Sequence, residues 1–160
     1  MTYMEVIIIK MKINRIVPNC MTQELGVASE IYIAGCKHYC KGCYEPDLWD
    51  FDLGMDMNVD DIVFTANRFN PDTYVLLGGD PLFSPHGTLD LVQRLRKEQK
   101  PIWLLTGFTR EQIKADSLKE TIFSLCDAVK TGKYDATKKQ KGFPASSNQR
   151  IWRNTRWESY

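Results

Sequence analysis

Apolar residues along the chain come in short runs separated by polar turns. Glu30-Ile31-Tyr32-Ile33-Ala34, Thr73-Tyr74-Val75-Leu76-Leu77 and Ile102-Trp103-Leu104-Leu105 are rich in β-branched, aromatic and aliphatic side chains, and each predicts a buried strand. Between them the apolar spacing changes to three and four. Asn58 is a reasonable N-cap for Val59, Ile62, Val63, Ala66 and Phe69, a helix ended by Asn70-Pro71-Asp72. Leu91, Val92 and Leu95 predict a second helix over Thr88 to Gln99, with Arg94, Arg96 and Lys97 outward and Pro101 as its stop. Thr109-Arg110-Glu111-Gln112 and Ser117-Leu118-Lys119-Glu120 have the form of capping boxes, and Leu118, Ile122 and Leu125 follow at helical spacing. Ala128-Val129-Lys130 is a short strand candidate. Met1 to Val17 reads as extended and is broken by Pro18-Asn19, while Cys43 to Met57 reads as a long loop.

Strands and helices therefore alternate, which predicts an α/β fold with a mostly parallel sheet and crossover helices. A closed eight-stranded barrel takes about 250 residues, and the chain has 160. The expectation is an incomplete, open (βα) barrel whose open side admits something larger than a metabolite. The whole of 1–160 reads as one domain. Met11 offers a second start, which would make Met1 to Lys10 an N-terminal appendage. From about residue 131 to 160 the chain is polar and basic, with Ile151-Trp152 as a small apolar island.

Composition changes this picture little. There are 21 Lys and Arg against 20 Asp and Glu, a formal net charge of +1, so bulk charge makes no case for nucleic acid or an acidic ligand. Val6-Ile7-Ile8-Ile9, between Glu5 and Lys10, is too short for a signal-peptide core or a membrane span. The chemistry concentrates in Cys36-Lys37-His38-Tyr39-Cys40-Lys41-Gly42-Cys43, three of the five cysteines within eight residues. Five is a poor number for a disulfide framework, and a crowded loop is a good reduced metal site, so a reducing, cytoplasmic setting is expected. The loop hangs from the C-terminal end of a predicted strand, where ligand sites collect in βα sheets. Three thiolates are one fewer than a closed iron–sulfur or zinc site takes. Two readings stand on the loop alone: a cubane cluster with one open iron, or a zinc knuckle completed by His38 or a distant residue.

The Cys-x3-Cys-x2-Cys spacing resembles the cluster loop of radical S-adenosylmethionine (SAM) enzymes. Gly78-Gly79-Asp80-Pro81, after the next predicted strand, resembles their glycine-rich SAM-binding segment, with Asp80 where the pattern often has Glu. More narrowly, Ser146-Ser147-Asn148-Gln149-Arg150, Asp127 to Tyr134, the cysteine loop and Leu105-Thr106-Gly107-Phe108 resemble the activating proteins of anaerobic ribonucleotide reductases. Gln23-Glu24-Leu25-Gly26-Val27 departs from that pattern, since relatives usually carry an Asp-Gly-Pro-Gly-like turn there. The resemblance implies a [4Fe-4S] cluster on Cys36, Cys40 and Cys43. It implies SAM on the open iron, contacted by Gly78 and Gly79 and by Asp80, Thr106, Tyr39 and Asn148. The implied activity is reductive cleavage of SAM to methionine and a 5′-deoxyadenosyl radical, which makes a glycyl radical on the reductase large subunit. A reduced donor such as flavodoxin is implied as the electron source. No general acid or base is required, so none is assigned to His38 or His86. Lys138, Lys139, Lys141, Arg150, Arg153 and Arg156, with Trp152 and Trp157, form either a solvated tail or a docking surface. Another small radical SAM enzyme, acting on a metabolite or a different glycyl-radical enzyme, is the second reading. A zinc-knuckle nucleic-acid module is the third.

Overall fold

The computed structural model describes residues 4–5, 7–22 and 25–154. Its frame is a seven-stranded sheet in the order β3-β1-β2-β4-β5-β6-β7. The strands are β1 (Lys10–Thr22), β2 (Gly26–Ile33), β3 (Met55–Asn58), β4 (Thr73–Gly78), β5 (Ile102–Leu105), β6 (Ala128–Thr131) and β7 (Arg150–Arg153). The helices are α1 (Val59–Ala66), α2 (Pro85–Arg96), α3 (Arg110–Lys114) and α4 (Ser117–Leu125).

The four central strands β2, β4, β5 and β6 are parallel, as the strand–helix alternation predicts. The flanking pairs β3–β1, β1–β2 and β6–β7 are antiparallel. The sheet is thus mixed rather than mostly parallel, because its outer strands are joined without crossover helices. β1 and β2 form a hairpin, which a short connection permits only for antiparallel neighbours. β3 lies inside the predicted loop after Cys43. The Ile151-Trp152 island becomes β7, pairing Ile151 with Lys130 and Trp152 with Val129.

β1 also runs straight through Pro18-Asn19, where the sequence predicts a break. Its register against β2 shifts between Val17 and Cys20, an irregularity that accommodates a residue without an amide proton. α1 stops at Ala66, leaving Phe69 53% exposed rather than on the buried face. α2 starts three residues before the predicted point, with Pro85 in its first turn. The Thr109 capping box is complete, whereas α4 is capped by Asp116 and not through a box at Ser117.

Strand alternation divides the core. Tyr74 and Leu76 of β4 face the helices with Leu104, Ile62, Leu91, Leu95 and Ile122. Val75 shares the opposite face with Ala28, Trp103 and Ala128, and Leu77, Leu105 and Ile151 pack there half-buried. Helices cover the first face. Over the second passes the loop between β6 and β7, whose Phe143 ring stands edge-on to Trp103, centroids 6.1 Å apart.

Candidate functional site

The cysteine loop leaves β2 through Gly35 at φ +104, a left-handed conformation that favours glycine. A side chain there would strike the Phe51 ring. The segment after Cys43 props the loop from beneath. Residues Pro46–Trp49 form a 3-10 turn, and Gly35 and Cys36 donate their amides to the carbonyls of Leu48 and Trp49 at 2.9 and 3.3 Å. Arg15 of β1 holds the same segment by an ion pair with Glu45 at 2.6 Å, while its guanidinium lies 3.6 Å from the centre of the Tyr32 ring. Cys43 donates its amide to Cys40 at 3.1 Å, closing the loop.

Cys36, Cys40 and Cys43 line one cavity of about 340 Å³ at the C-terminal ends of the parallel strands. Gly78, Gly79 and Thr106 share its walls, and Lys130 and Gln149 close it from β6 and the C-terminal segment. Burial pushes the Cys36 thiol up to about 11, with the charges of Asp80 and the other two cysteines acting in the same direction. Burial also pulls the Lys130 ammonium below its ordinary value, against the attraction of Asp80 and Cys40. A metal that takes the Cys36 thiolate therefore displaces a tightly held proton. Among the described residues no three Cys, His, Asp or Glu side chains are grouped closely enough to hold a single metal ion.

Asp80 is not among the residues that line the cavity. It is 1% exposed, and its carboxylate accepts four hydrogen bonds. Oδ1 takes the Leu82 amide at 2.9 Å. Oδ2 takes Nε2 of His38 at 2.7 Å, and the Thr106 hydroxyl and the Gly107 amide at 2.8 Å each. A carboxylate only accepts, which places the imidazole proton on Nε2. The His38 ring sits between Phe83 and Phe108, centroids 4.8 and 4.7 Å away.

The remaining sequence candidates divide. Gly78 and Gly79 reach the cavity wall, yet their lack of side chains is already required by the fold. A Cβ on Gly78 would meet the backbone of Ile33 at 2.5 Å, and one on Gly79 would meet the carbonyls of Gly35 and Leu48. Thr106 lines the cavity. Tyr39 is 62% exposed and stands edge-on to Trp49. Asn148 donates to the carbonyl of Lys133 at 2.8 Å and is exposed. The segment around it is a clamp: Gln149 donates to Gly132 at 3.0 Å and accepts from the Ser146 amide at 3.2 Å. Arg150 is exposed on β7, and Arg156 and Trp157 lie outside the described residues. Sequence reasoning missed Lys130 and Tyr32 as cavity walls. For Lys130 a signal existed, since strand alternation puts it on the face of Ala128, opposite Val129.

Residues 23–152 match the family described as a 4Fe-4S single cluster domain. The fold is similar to that in the crystal structure of QueE from Escherichia coli, with a TM-score of 0.54 and 18% identity, covering 62% of this chain and 54% of that one. The chain is therefore a single-cluster iron–sulfur domain protein. The anaerobic ribonucleoside-triphosphate reductase-activating protein of Pasteurella multocida is 30% identical over 145 residues, 82% of this chain and 90% of its own length. That of Enterobacteria phage T4 is 29% identical over 154 residues, 91% and 96%, and that of Vibrio cholerae 30% over 141 residues, 81% and 90%. The chain belongs to the family of anaerobic ribonucleoside-triphosphate reductase-activating proteins.

Proposed function

We propose that this protein is a radical SAM activase that generates a glycyl radical on the large subunit of the anaerobic ribonucleoside-triphosphate reductase. The observation that carries this reading is the lining of one cavity by three loop thiols and the Gly78-Gly79 turn, in a chain of this family. The thiols fit the group. A cubane takes one thiolate on each of three irons and leaves the fourth open, which matches three cysteines lining one cavity. When bound, the cluster and SAM supply the electron and the 5′-deoxyadenosyl radical, with methionine as the other product.

The chain's residues do the rest. Cys36, Cys40 and Cys43 would hold the cluster and leave one iron open for SAM. The backbone of Gly78 and Gly79 would face the amino group of SAM, with Thr106 on the same cavity wall. Tyr39, Asp80 and Asn148 enter as SAM contacts by resemblance. The placement of Asp80 supports an indirect part for it, and the exposure of the other two is what a rim position requires. Lys130, a mostly withdrawn cation, offsets the negative charge that thiolates bring.

We read the open sheet as an incomplete barrel in one domain, with helices on one face and the apolar strip around Trp103 on the other. A glycine of another protein reaches the cavity from the C-terminal ends of the parallel strands. The electron donor is a reduced carrier such as flavodoxin, and the setting is the cytoplasm. No helix among the described residues is long and apolar enough to cross a membrane. The test is SAM turnover by anaerobically purified protein. With reductant it should release methionine and 5′-deoxyadenosine in equal amounts, and Cys40→Ala should release neither. Turnover by the cysteine variant, or none by the iron-loaded wild type, contradicts the reading.

A further inference from the structure

Three loops form the walls of the cavity: the cysteine loop after β2, the glycine turn after β4 and the Thr106-Gly107 turn after β5. They are far apart in sequence, and their mutual placement has to hold to a fraction of an ångström for a ligand to span them. One atom joins all three. Oδ2 of Asp80, on the glycine turn, accepts from His38 of the first loop and from Thr106 and Gly107 of the third. The fit around the imidazole is tight. A Cβ on Gly107 would stand 2.5 Å from Cδ2 of His38, so the third loop is glycine where the ring passes. Phe83 and Phe108 close on the ring from the other two loops and keep water from the bond. The His38 side chain is 7% exposed and Asp80 1%, and a charge-assisted hydrogen bond so enclosed is worth more than one in water.

We propose that His38 is a positioning residue for SAM, acting through Asp80 to fix the cysteine loop against the two turns that face it. The proposal rests on the activase reading for its ligand. His38 itself borders the cavity; the proposal assigns it no proton transfer and places its effect in the hydrogen bond to Asp80. Removing the donor leaves the three thiols able to take iron while the opposite walls lose their reference point. Orienting partners behind a ligand shell typically carry about 10- to 100-fold in affinity or activity.

The test compares His38→Leu, which keeps bulk and loses the donor, with His38→Gln, which keeps a donor at similar reach. Iron per chain, the dissociation constant for SAM, and the electron paramagnetic resonance change that SAM causes in the reduced cluster are measured for each. His38→Leu should load iron as the wild type does, bind SAM at least tenfold more weakly and show an altered SAM-induced change. His38→Gln should recover most of both. Wild-type SAM affinity in His38→Leu, or no recovery in His38→Gln, overturns the proposal. If the leucine variant loads no iron, or the wild type binds no SAM, amide exchange of metal-free protein decides. The Gly107 amide should exchange at least tenfold faster in His38→Leu and return toward wild type in His38→Gln. Equal rates in all three overturn the proposal independently of the activase reading, which the absence of SAM binding by wild type would itself contradict.

Discussion

Gly79 and Gly35 meet backbone to backbone, and a methyl group on Gly79 would run into the carbonyl oxygen of Gly35, one residue before the first cysteine. The same carbonyl accepts the Asp80 amide at 2.9 Å. The glycine turn is therefore a seat for the cysteine loop before it is a wall for any ligand. Gly79→Ala should lower the stability of the metal-free protein by about 1–3 kcal/mol, as overpacking does, and should impair iron loading together with SAM binding. Thermal unfolding and iron content check this. Weaker SAM binding at unchanged stability and iron content would show that the glycine serves the ligand alone.

Cys36→Ala, Cys40→Ala and Cys43→Ala should each abolish the brown colour and the bound iron after anaerobic reconstitution. Cys20→Ala and Cys126→Ala should keep both, since neither residue lines the cavity. The two controls differ in stability. Cys126 is 2% exposed within the helix-side core, so its truncation should cost on the order of 1 kcal/mol, whereas the half-buried Cys20 should cost less. Iron analysis and urea unfolding separate the effects.

Asp127 belongs to the stretch that resembles the reductase activases, and the structure gives it a structural task. Its carboxylate accepts the Ile102 amide at 2.8 Å and the Arg96 guanidinium at 3.2 Å, joining β5 and α2 to the start of β6 at 5% exposure. Asp127→Ala strips a buried amide and a cation of this partner and should destabilise by about 3 kcal/mol. Urea denaturation of the metal-free protein measures it. A loss of activity at unchanged stability would instead assign Asp127 to the cavity.

Two phenols set an alkaline limit. Burial, reinforced by Glu98 for Tyr74 and by Glu30 for Tyr32, pushes both from 10 up to about 12. A raised acid favours its neutral form in the fold. The stability it contributes is complete below pH 10 and is lost as pH rises through about 12. For Tyr74, which is fully buried and bonded to Asn67, the loss is on the order of 2 kcal/mol. Tyr74→Phe should be less stable at pH 8 but fall less steeply between pH 10 and 12. Parallel curves for the two proteins would contradict the assignment.

Much of this was legible in the sequence because local signals and tertiary structure agree. The three central runs are strands, Asn58 and Thr109 cap helices, and the cysteine spacing fixes three thiols on one strand end. The failures are non-local. Pro18 reads as a break because its missing amide is visible, whereas the register shift that absorbs it belongs to the pairing with β2. β3 and β7 are short, and β7 is half-exposed, so pairing partners define them and hydrophobic pattern does not. In the sequence His38 carries no assigned acid or base role, and nothing local points to its task. Its partner, Asp80, lies 42 residues further on, and only the fold brings them together. The glycines at 78 and 79 resemble a ligand-binding segment in the sequence, and the structure adds neighbouring backbone as a nearer reason.

The central claim is that the radical chemistry of this cavity is delivered to a protein. Reduced, iron-loaded protein is mixed without oxygen with SAM and the anaerobic ribonucleotide reductase of the same source, and the electron paramagnetic resonance spectrum is recorded. The account predicts a glycyl-radical doublet on the reductase that requires SAM and is absent with Cys36→Ala, Cys40→Ala or Cys43→Ala. Cleavage of SAM without that doublet on the reductase would contradict it.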